Sequence, residues 1–244
     1  MSHSSVPRTT SNQHQLLNDG AARLKLFTGE AGAQRRDCER ALLELWRLHG
    51  FQVPTILEDV PDTESGVPCL KLTHIPGVSL QAYLRSSAAS DEKRSVLTGV
   101  FRENRRRHDT AIAQRNPLLF HSDLNTGNII IQDGRVFYID LEQACTTDEL
   151  TDAAAMEIAK ICRWIVRDLG IASMDEVLGI VLKAYAGQEF LLERLVARAC
   201  DRRLQRYHRF RDWMRKRKDA HEVTKYDIAD GLARLLAVDK RNGG

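Results

Sequence analysis

Leu118-Leu-Phe-His-Ser-Asp-Leu-Asn-Thr-Gly-Asn-Ile-Ile-Ile131, continued by Gln132-Asp-Gly-Arg135 and Val136-Phe-Tyr-Ile-Asp-Leu-Glu142, is the stretch that decides the reading of this chain. Two β-rich runs flank Asp133-Gly134, a pair suited to the positive φ angles of a two-residue hairpin turn. Such a turn folds the chain back on itself. Asn128, at the start of one strand, then lies near Asp140, at the end of the next. Just upstream the spacing is H-x-D-x-x-x-x-N, from His121 through Asp123 to Asn128. One carboxylate to orient a hydroxyl, with an amide and a second carboxylate to hold magnesium on phosphates, is the donor set of a phosphotransfer site. The plainer reading is a buried antiparallel hairpin with incidental polar ends. A lone His-x-Asp would not separate the two; the whole run with its turn favours chemistry.

On these residues the sequence resembles the protein-kinase-like superfamily in its atypical branch. That branch includes aminoglycoside and choline phosphotransferases, lipopolysaccharide-core (Kdo) sugar kinases and small atypical protein kinases. The resemblance implies an α+β, two-lobed protein-kinase-like fold with a truncated N-terminal lobe and a mostly helical C-terminal lobe. It also implies ATP and Mg2+ as cofactors. Asp123 would be the catalytic base, with His121 beside it in the catalytic set, and Asn128 and Asp140 would bind metal.

Such a site also needs a cation for the nucleotide phosphates and an acid to hold it. Ala22-Arg-Leu-Lys-Leu-Phe27 alternates like a strand, with Leu24 and Leu26 on one face and Arg23, Lys25 and Phe27 on the other. Arg35 to His49 then has a helical pattern with Gly50 as its stop. At about 100° per residue, Cys38, Leu42, Leu43, Leu45 and Trp46 share an apolar face and Glu39 falls inside it. A carboxylate there is costly without a partner. Lys25 is the partner the resemblance supplies, as a strand lysine–helix glutamate pair. Without it, Glu39 would sit at the edge of the face and reach water. Glu44 is the rival, but it lies on the polar side with Arg36, Arg40 and Arg47.

Residues 1–13 are Ser/Thr/His-rich, lack the apolar core of a secretory signal and are expected to form a disordered leader. The kinase-like unit is expected over 14–244. Its small lobe spans 14–73, the hinge is Thr73-His-Ile-Pro-Gly77 with 74–77 as the connector, and the large lobe spans 78–244. A helical pattern is expected from Val78 onward, interrupted by the catalytic hairpin. In the resembling families the hinge backbone binds adenine, which falls here to Thr73 and Ile75. The 244 residues and 43% apolar content suit a globular enzyme, and no apolar run is long enough to span a membrane. Five scattered cysteines without C-x-x-C point to free thiols and a cytoplasmic, reducing setting.

Four positions depart from the family pattern. No G-x-G-x-x-G precedes Lys25. Ser122 replaces the arginine of regulated protein kinases, Asn125 stands where many Ser/Thr protein kinases carry lysine, and Leu141-Glu142 replaces Phe-Gly. These features lean toward sugar and small-molecule phosphotransferases. The resemblance covers about residues 14–145.

Between Glu193 and Lys218 there are eleven Lys/Arg and three Asp/Glu, in a chain whose net charge is only +3. The plain account is an amphipathic helix with a basic solvated face. The functional account is attraction to an anionic acceptor, to a membrane surface at the inner face through Arg202, Arg203, Arg206 and Arg209, or to nucleic acid. Arg102 and Arg105–His108 would add to this field if folding brought them close. The favoured acceptor is therefore a sugar of an anionic glycolipid such as lipopolysaccharide core. The alternatives are a small atypical Ser/Thr protein kinase and a kinase-fold binding module of weak or no activity.

Overall fold

The computed structural model describes residues 13–17, 20–58, 66–200 and 223–242. The leader up to residue 12 and the segment 201–222, with Arg202, Arg203, Arg206 and Arg209, lie outside the described residues.

The first layer is an antiparallel sheet of β1 (Gln13–Leu16), β2 (Ala22–Leu26), β3 (Ile56–Glu58) and β4 (Cys69–Thr73), in the order β1-β2-β4-β3. Lys25 stands opposite Leu70 in the β2–β4 register. The alternation read from the sequence holds, and it is the Lys25 and Phe27 side that is buried, while Leu24 and Leu26 are half-buried. Helix α1 (Gly32–Leu48) packs against the sheet through Leu42, Leu43 and Trp46. It begins three residues earlier than the expected Arg35. Gly32 permits that early start, because a Cβ there would come within 2.2 Å of the Phe27 carbonyl oxygen.

After β4 the expected helix from Val78 is a correction. Val78–Ser79 form a short strand, β5, paired with β6 (Ile129–Gln132), and α2 (Leu80–Arg85) starts only at Leu80. Ser79 caps that helix through its hydroxyl, accepting from the Ala82 N–H. Gly77 makes the approach possible, since a Cβ on it would lie 2.4 Å from the Ile131 carbonyl oxygen. The hairpin is thus part of a three-stranded sheet, β5-β6-β7, with β7 at Arg135–Tyr138. Its turn is as expected: Asp133 and Gly134 have φ of 49° and 72°.

The remainder is helical: α3 (Ser90–Ala113), α4 (Leu150–Leu169), α5 (Met174–Ala184), α6 (Glu189–Cys200) and α7 (Lys225–Asn242). α4 is central. It buries Ala154, Ala155, Ile158, Ile161, Cys162, Ile165 and Val166 against its neighbours. α6 contributes the apolar face expected from its periodicity, Leu191, Leu195 and Ala199, while Arg194 and Arg198 turn to Asp152 of α4. The basic run Arg105–His108 is tied into the fold to different depths. Arg105 donates to the Ala184 and Ala186 carbonyls, Arg106 to Glu103 and Gly50, and Arg107 and His108 are fully buried. Arg107 is spent inside the fold, Arg106 stays exposed, and the basic tail whose field they were expected to join lies outside the described residues.

Trp46 joins the two layers. Its Nε1–H donates to the Leu118 carbonyl at 2.9 Å, and its ring meets His121 and Tyr138 edge-on at 5.9 and 5.4 Å. Among the described residues, no helix is long and apolar enough to cross a membrane, and Cys38, Cys69, Cys145 and Cys162 form no disulfide.

Candidate active site

The site begins with a lysine buried on a strand. Lys25 is 1% exposed and its ammonium needs compensation. Glu39, from the second turn of α1, lies 2.5 Å away and is equally buried. Asp140 and Glu142 reach the same ammonium from the end of the hairpin, at 2.6 and 2.7 Å. Glu142 also takes Arg35 of α1 at 2.9 Å, and Arg35 donates to the Thr28 carbonyl. The expected Lys25–Glu39 pair is therefore present, and Glu44 is exposed, away from it.

One ammonium shared among three carboxylates explains the titration of all four groups. Burial would lower the Lys25 pKa, but Glu39 and Asp140 outweigh it and raise it to about 12. Burial raises Glu39 to about 7, because Lys25 is divided among rivals and only partly opposes that cost. For Asp140 burial acts upward, yet Lys25 holds it below the usual carboxylate range. Glu142 is raised, by burial and then by its hydrogen bond with Asp140. Oxygen atoms of Glu39, Asp140 and Glu142 all lie within 4.8 Å of one another. Such crowding of hard oxygen donors suits a divalent cation.

Asp140 is placed by strain. Its φ of 68° is in the left-handed region that a non-glycine residue rarely adopts. The residue before it is tied back to the hairpin, Ile139 N–H donating to the Asn128 carbonyl. This ties the chain around Asn128 and Asp140 at one end of the hairpin, and both line a 190 Å³ cavity with Lys25, Thr73 and Ile75. Thr73 is otherwise engaged: its hydroxyl accepts from the Thr55 N–H and its own N–H donates to the Thr55 carbonyl.

The residues of the H-x-D loop divide into one that faces solvent and several that hold it there. The Asp123 side chain is 65% exposed. His121, expected beside it in the catalytic set, is instead buried, a second correction. Its Nε2 meets the Ile139 carbonyl at 3.0 Å and its Nδ1 accepts from the Asp123 N–H at 3.2 Å. Burial lowers its pKa to about 4, so it is a neutral brace between loop and hairpin. Asn125 is also committed. Its Oδ1 accepts from the N–H groups of Gly127 and Asn128, and its Nδ2 donates to the Asp123 carbonyl, which Asn128 Nδ2 also meets at 3.0 Å.

Beneath the loop lies a buried charge pair. Glu157 of α4 accepts from the His121 N–H at 3.1 Å and from the Arg107 guanidinium. Arg107 in turn donates to the Leu119 carbonyl at 2.7 Å and to Asn104, which takes the Tyr138 hydroxyl. Burial opposes the charged Glu157, but Arg107 prevails and keeps it well below the usual carboxylate range.

Three residues here were not found in the sequence. Glu142 had a local signal, since Asp-x-Glu in extended chain puts both carboxylates on one side. Glu157 and Lys160 had none, because each sits in the apolar helix α4 and meets the loop only after folding. Lys160 Nζ lies 3.0 Å from Asp123 and 2.9 Å from the Ser122 carbonyl. A cleft of about 830 Å³ lies over these groups, lined by Arg35, Asp123, Asp140, Glu142 and Lys160 among others.

A strand lysine clamped to a helix glutamate, a connector, an H-x-D loop, a hairpin and a closing acid occur in one order, and Asp140 lines both the cleft of Asp123 and the cavity of Lys25. This is the order of parts that the resemblance to the protein-kinase-like superfamily implies. No protein-family profile and no curated protein matches the chain. Among solved structures, the gentamicin complex of APH(2")-IIa is similar at 11% identity and a TM-score of 0.43, covering 89% of this chain and 90% of that one. The GDP and kanamycin complex of APH(2")-IIia is similar at 13% identity and a TM-score of 0.48, covering 98% and 93%.

Proposed function

We propose that this chain is an ATP-dependent phosphotransferase that moves the γ-phosphate to an acceptor hydroxyl. One observation carries the reading. An exposed carboxylate, Asp123, faces the same cleft as Asp140, and behind Asp140 a buried lysine is clamped by Glu39.

The division of labour follows from the geometry. Asp123 accepts the acceptor proton, and the hydrogen bonds of Asn125 and Asn128 to its backbone fix the direction of its carboxylate. Lys25 binds the nucleotide phosphates. With one ammonium among three carboxylates, an incoming cation can take over Asp140 and Glu142 and leave Lys25 to Glu39 and the phosphates. Asn128, Asp140 and Glu142 would hold magnesium, which when bound neutralises charge on the β- and γ-phosphates. The base would lie against Thr73 and Ile75 in the 190 Å³ cavity.

For the acceptor we favour a sugar on an anionic glycolipid such as lipopolysaccharide core, with the protein acting at the inner membrane face. A second cavity, of about 530 Å³, supports this. It shares Ser122 and Lys160 with the catalytic cleft, has apolar walls including Phe120 and Met156, and carries Arg163 and Lys225 beside the Asp152–Arg198 pair. Its carboxylates are committed, Asp152 to Arg194 and Arg198 and Glu157 to Arg107. Apolar walls with cations suit an amphipathic anion.

The test is thermal unfolding with ATP, with and without magnesium, followed by product-mass analysis over sugars, lipopolysaccharide core and protein substrates. Magnesium-dependent stabilisation by ATP and a product heavier by one phosphate on the glycolipid are expected. Phosphate on protein serine or threonine would replace the glycolipid with a protein acceptor. Failure of ATP to bind would leave a kinase-fold binding module.

A further inference from the structure

We propose that Lys160 is a catalytic residue of this transfer, moving from Asp123 onto the oxygens of the phosphoryl group in flight. The inference rests on the phosphotransferase reading above. As the acceptor oxygen–phosphorus bond forms, the bond from phosphorus to the β,γ-bridging oxygen breaks and its electron pair leaves on ADP. The acceptor proton passes to the Asp123 carboxylate. Negative charge on the transferring group must be met from the acceptor side as well as from the nucleotide side.

The side chains that could meet it can be taken in turn. Lys25 is gripped by Glu39, Asp140 and Glu142 on the nucleotide side, and Arg35, which shares the cleft with Asp123, is already bound to Glu142 and the Thr28 carbonyl. Residue 125, where many Ser/Thr protein kinases place lysine, is an asparagine whose oxygen and nitrogen are both used within the loop. Lys160 lines the catalytic cleft, its side chain is 32% exposed, and it is the cation paired with Asp123 among the described residues. The Ser122 carbonyl anchors its ammonium, and α4 fixes its stem one turn beyond Glu157, which holds the same loop from below.

The Asp123 pairing also times the motion. Lys160 is attracted to Asp123 while that carboxylate is charged. When Asp123 takes the acceptor proton, the attraction falls as charge builds on the phosphoryl oxygens within reach. The ammonium is thus passed from the group that loses charge to the group that gains it.

The acceptor need not be known for the test. ADP with magnesium and aluminium fluoride stands in for the transferring phosphoryl group, and slow Mg–ATP hydrolysis uses water as acceptor. Wild type, Lys160→Met and Lys160→Arg are compared by calorimetric titration and by phosphate release. Lys160→Met should bind Mg–ADP as wild type does, lose at least about tenfold of the extra affinity conferred by aluminium fluoride, and hydrolyse ATP about 10²-fold more slowly at unchanged KM. Lys160→Arg should restore part of both. Retention of fluoride-dependent affinity and of hydrolysis in Lys160→Met overturns the proposal, as does loss of Mg–ADP binding, which would make Lys160 structural. If wild type binds neither Mg–ATP nor Mg–ADP, the phosphotransferase reading itself has failed, a result distinct from an active wild type indifferent to Lys160.

Discussion

Asp140 and Lys25, 115 positions apart in the chain, stand 2.6 Å apart in the fold. The contact closes the cleft from the hairpin side, and Asp140 makes it from a left-handed backbone that costs on the order of 1–3 kcal/mol. Strain of that size is retained where the surrounding bonds over-determine it. Here the Ile139–Asn128 backbone bond and the Lys25 ammonium do so. Asp140→Asn should weaken Mg–ATP binding, measured by titration, and leave Mg-free ADP binding nearly intact.

Asp123→Asn should separate differently. Its carboxylate meets Lys160 and solvent, and lies outside the Lys25 cluster. Transfer should fall by about 10²–10⁴-fold while the ATP-induced rise in melting temperature persists. More than about a hundredth of wild-type turnover would remove Asp123 as the base.

Lys25→Met and Glu39→Gln should have unequal effects. Glu39→Gln leaves Lys25 with Asp140 and Glu142, whereas Lys25→Met leaves three carboxylates facing one another. Chemical denaturation should find Lys25→Met the less stable, and activity losses in the double variant should fall short of the sum because the groups act as a unit. Additive losses would mean that the pair does not function together.

The raised pKa of Glu39 predicts a particular pH dependence. A carboxyl at about 7 in the folded chain and 4.5 as its ordinary value binds more protons folded than unfolded between those limits. Its stabilising contribution is therefore full below pH 4.5 and lost as pH rises through 7, by about 3 kcal/mol. His121 works oppositely: lowered to about 4 from 6.5, it contributes fully above pH 6.5 and loses that as pH falls through 4. The two terms overlap, so wild type alone would conceal both. Subtracting wild-type stability from that of Glu39→Gln across pH 4.5–7 should give a difference that rises with pH. A flat difference would mean that Glu39 ionises normally.

Arg107 and Glu157 should behave as a buried pair. Either single neutral replacement leaves a buried charge unmatched and should cost about 3–5 kcal/mol. A double replacement by apolar side chains should recover much of that stability. Activity should stay low in the double variant, because the His121 N–H loses its acceptor. Full activity there would show that the loop needs no such support.

For the acceptor, changing Arg202, Arg203 and Arg206 to Glu should raise the acceptor KM and flatten its salt dependence, with the ATP KM unchanged. Steady-state titrations at two ionic strengths measure both. Unchanged acceptor kinetics would reduce the basic run to a solvated surface.

What the sequence by itself determined was local. The Asp133-Gly134 turn, the alternation of β2 and the placing of Glu39 inside the apolar face of α1 follow from periods of two and 3.6 residues and from turn chemistry, which act over a few residues. The tertiary structure decided what depends on contact between distant segments. It turned Val78–Ser79 into a strand because β6 offered an edge, buried Arg107 against Glu157, and buried His121 between Ile139 and the Asp123 N–H. It also brought Lys160 to Asp123 across 37 positions and Glu157 to His121 across 36. Nothing in the spacing along α4 marks those two residues, since a charged side chain within an apolar helix acquires its meaning only from the surface against which it packs.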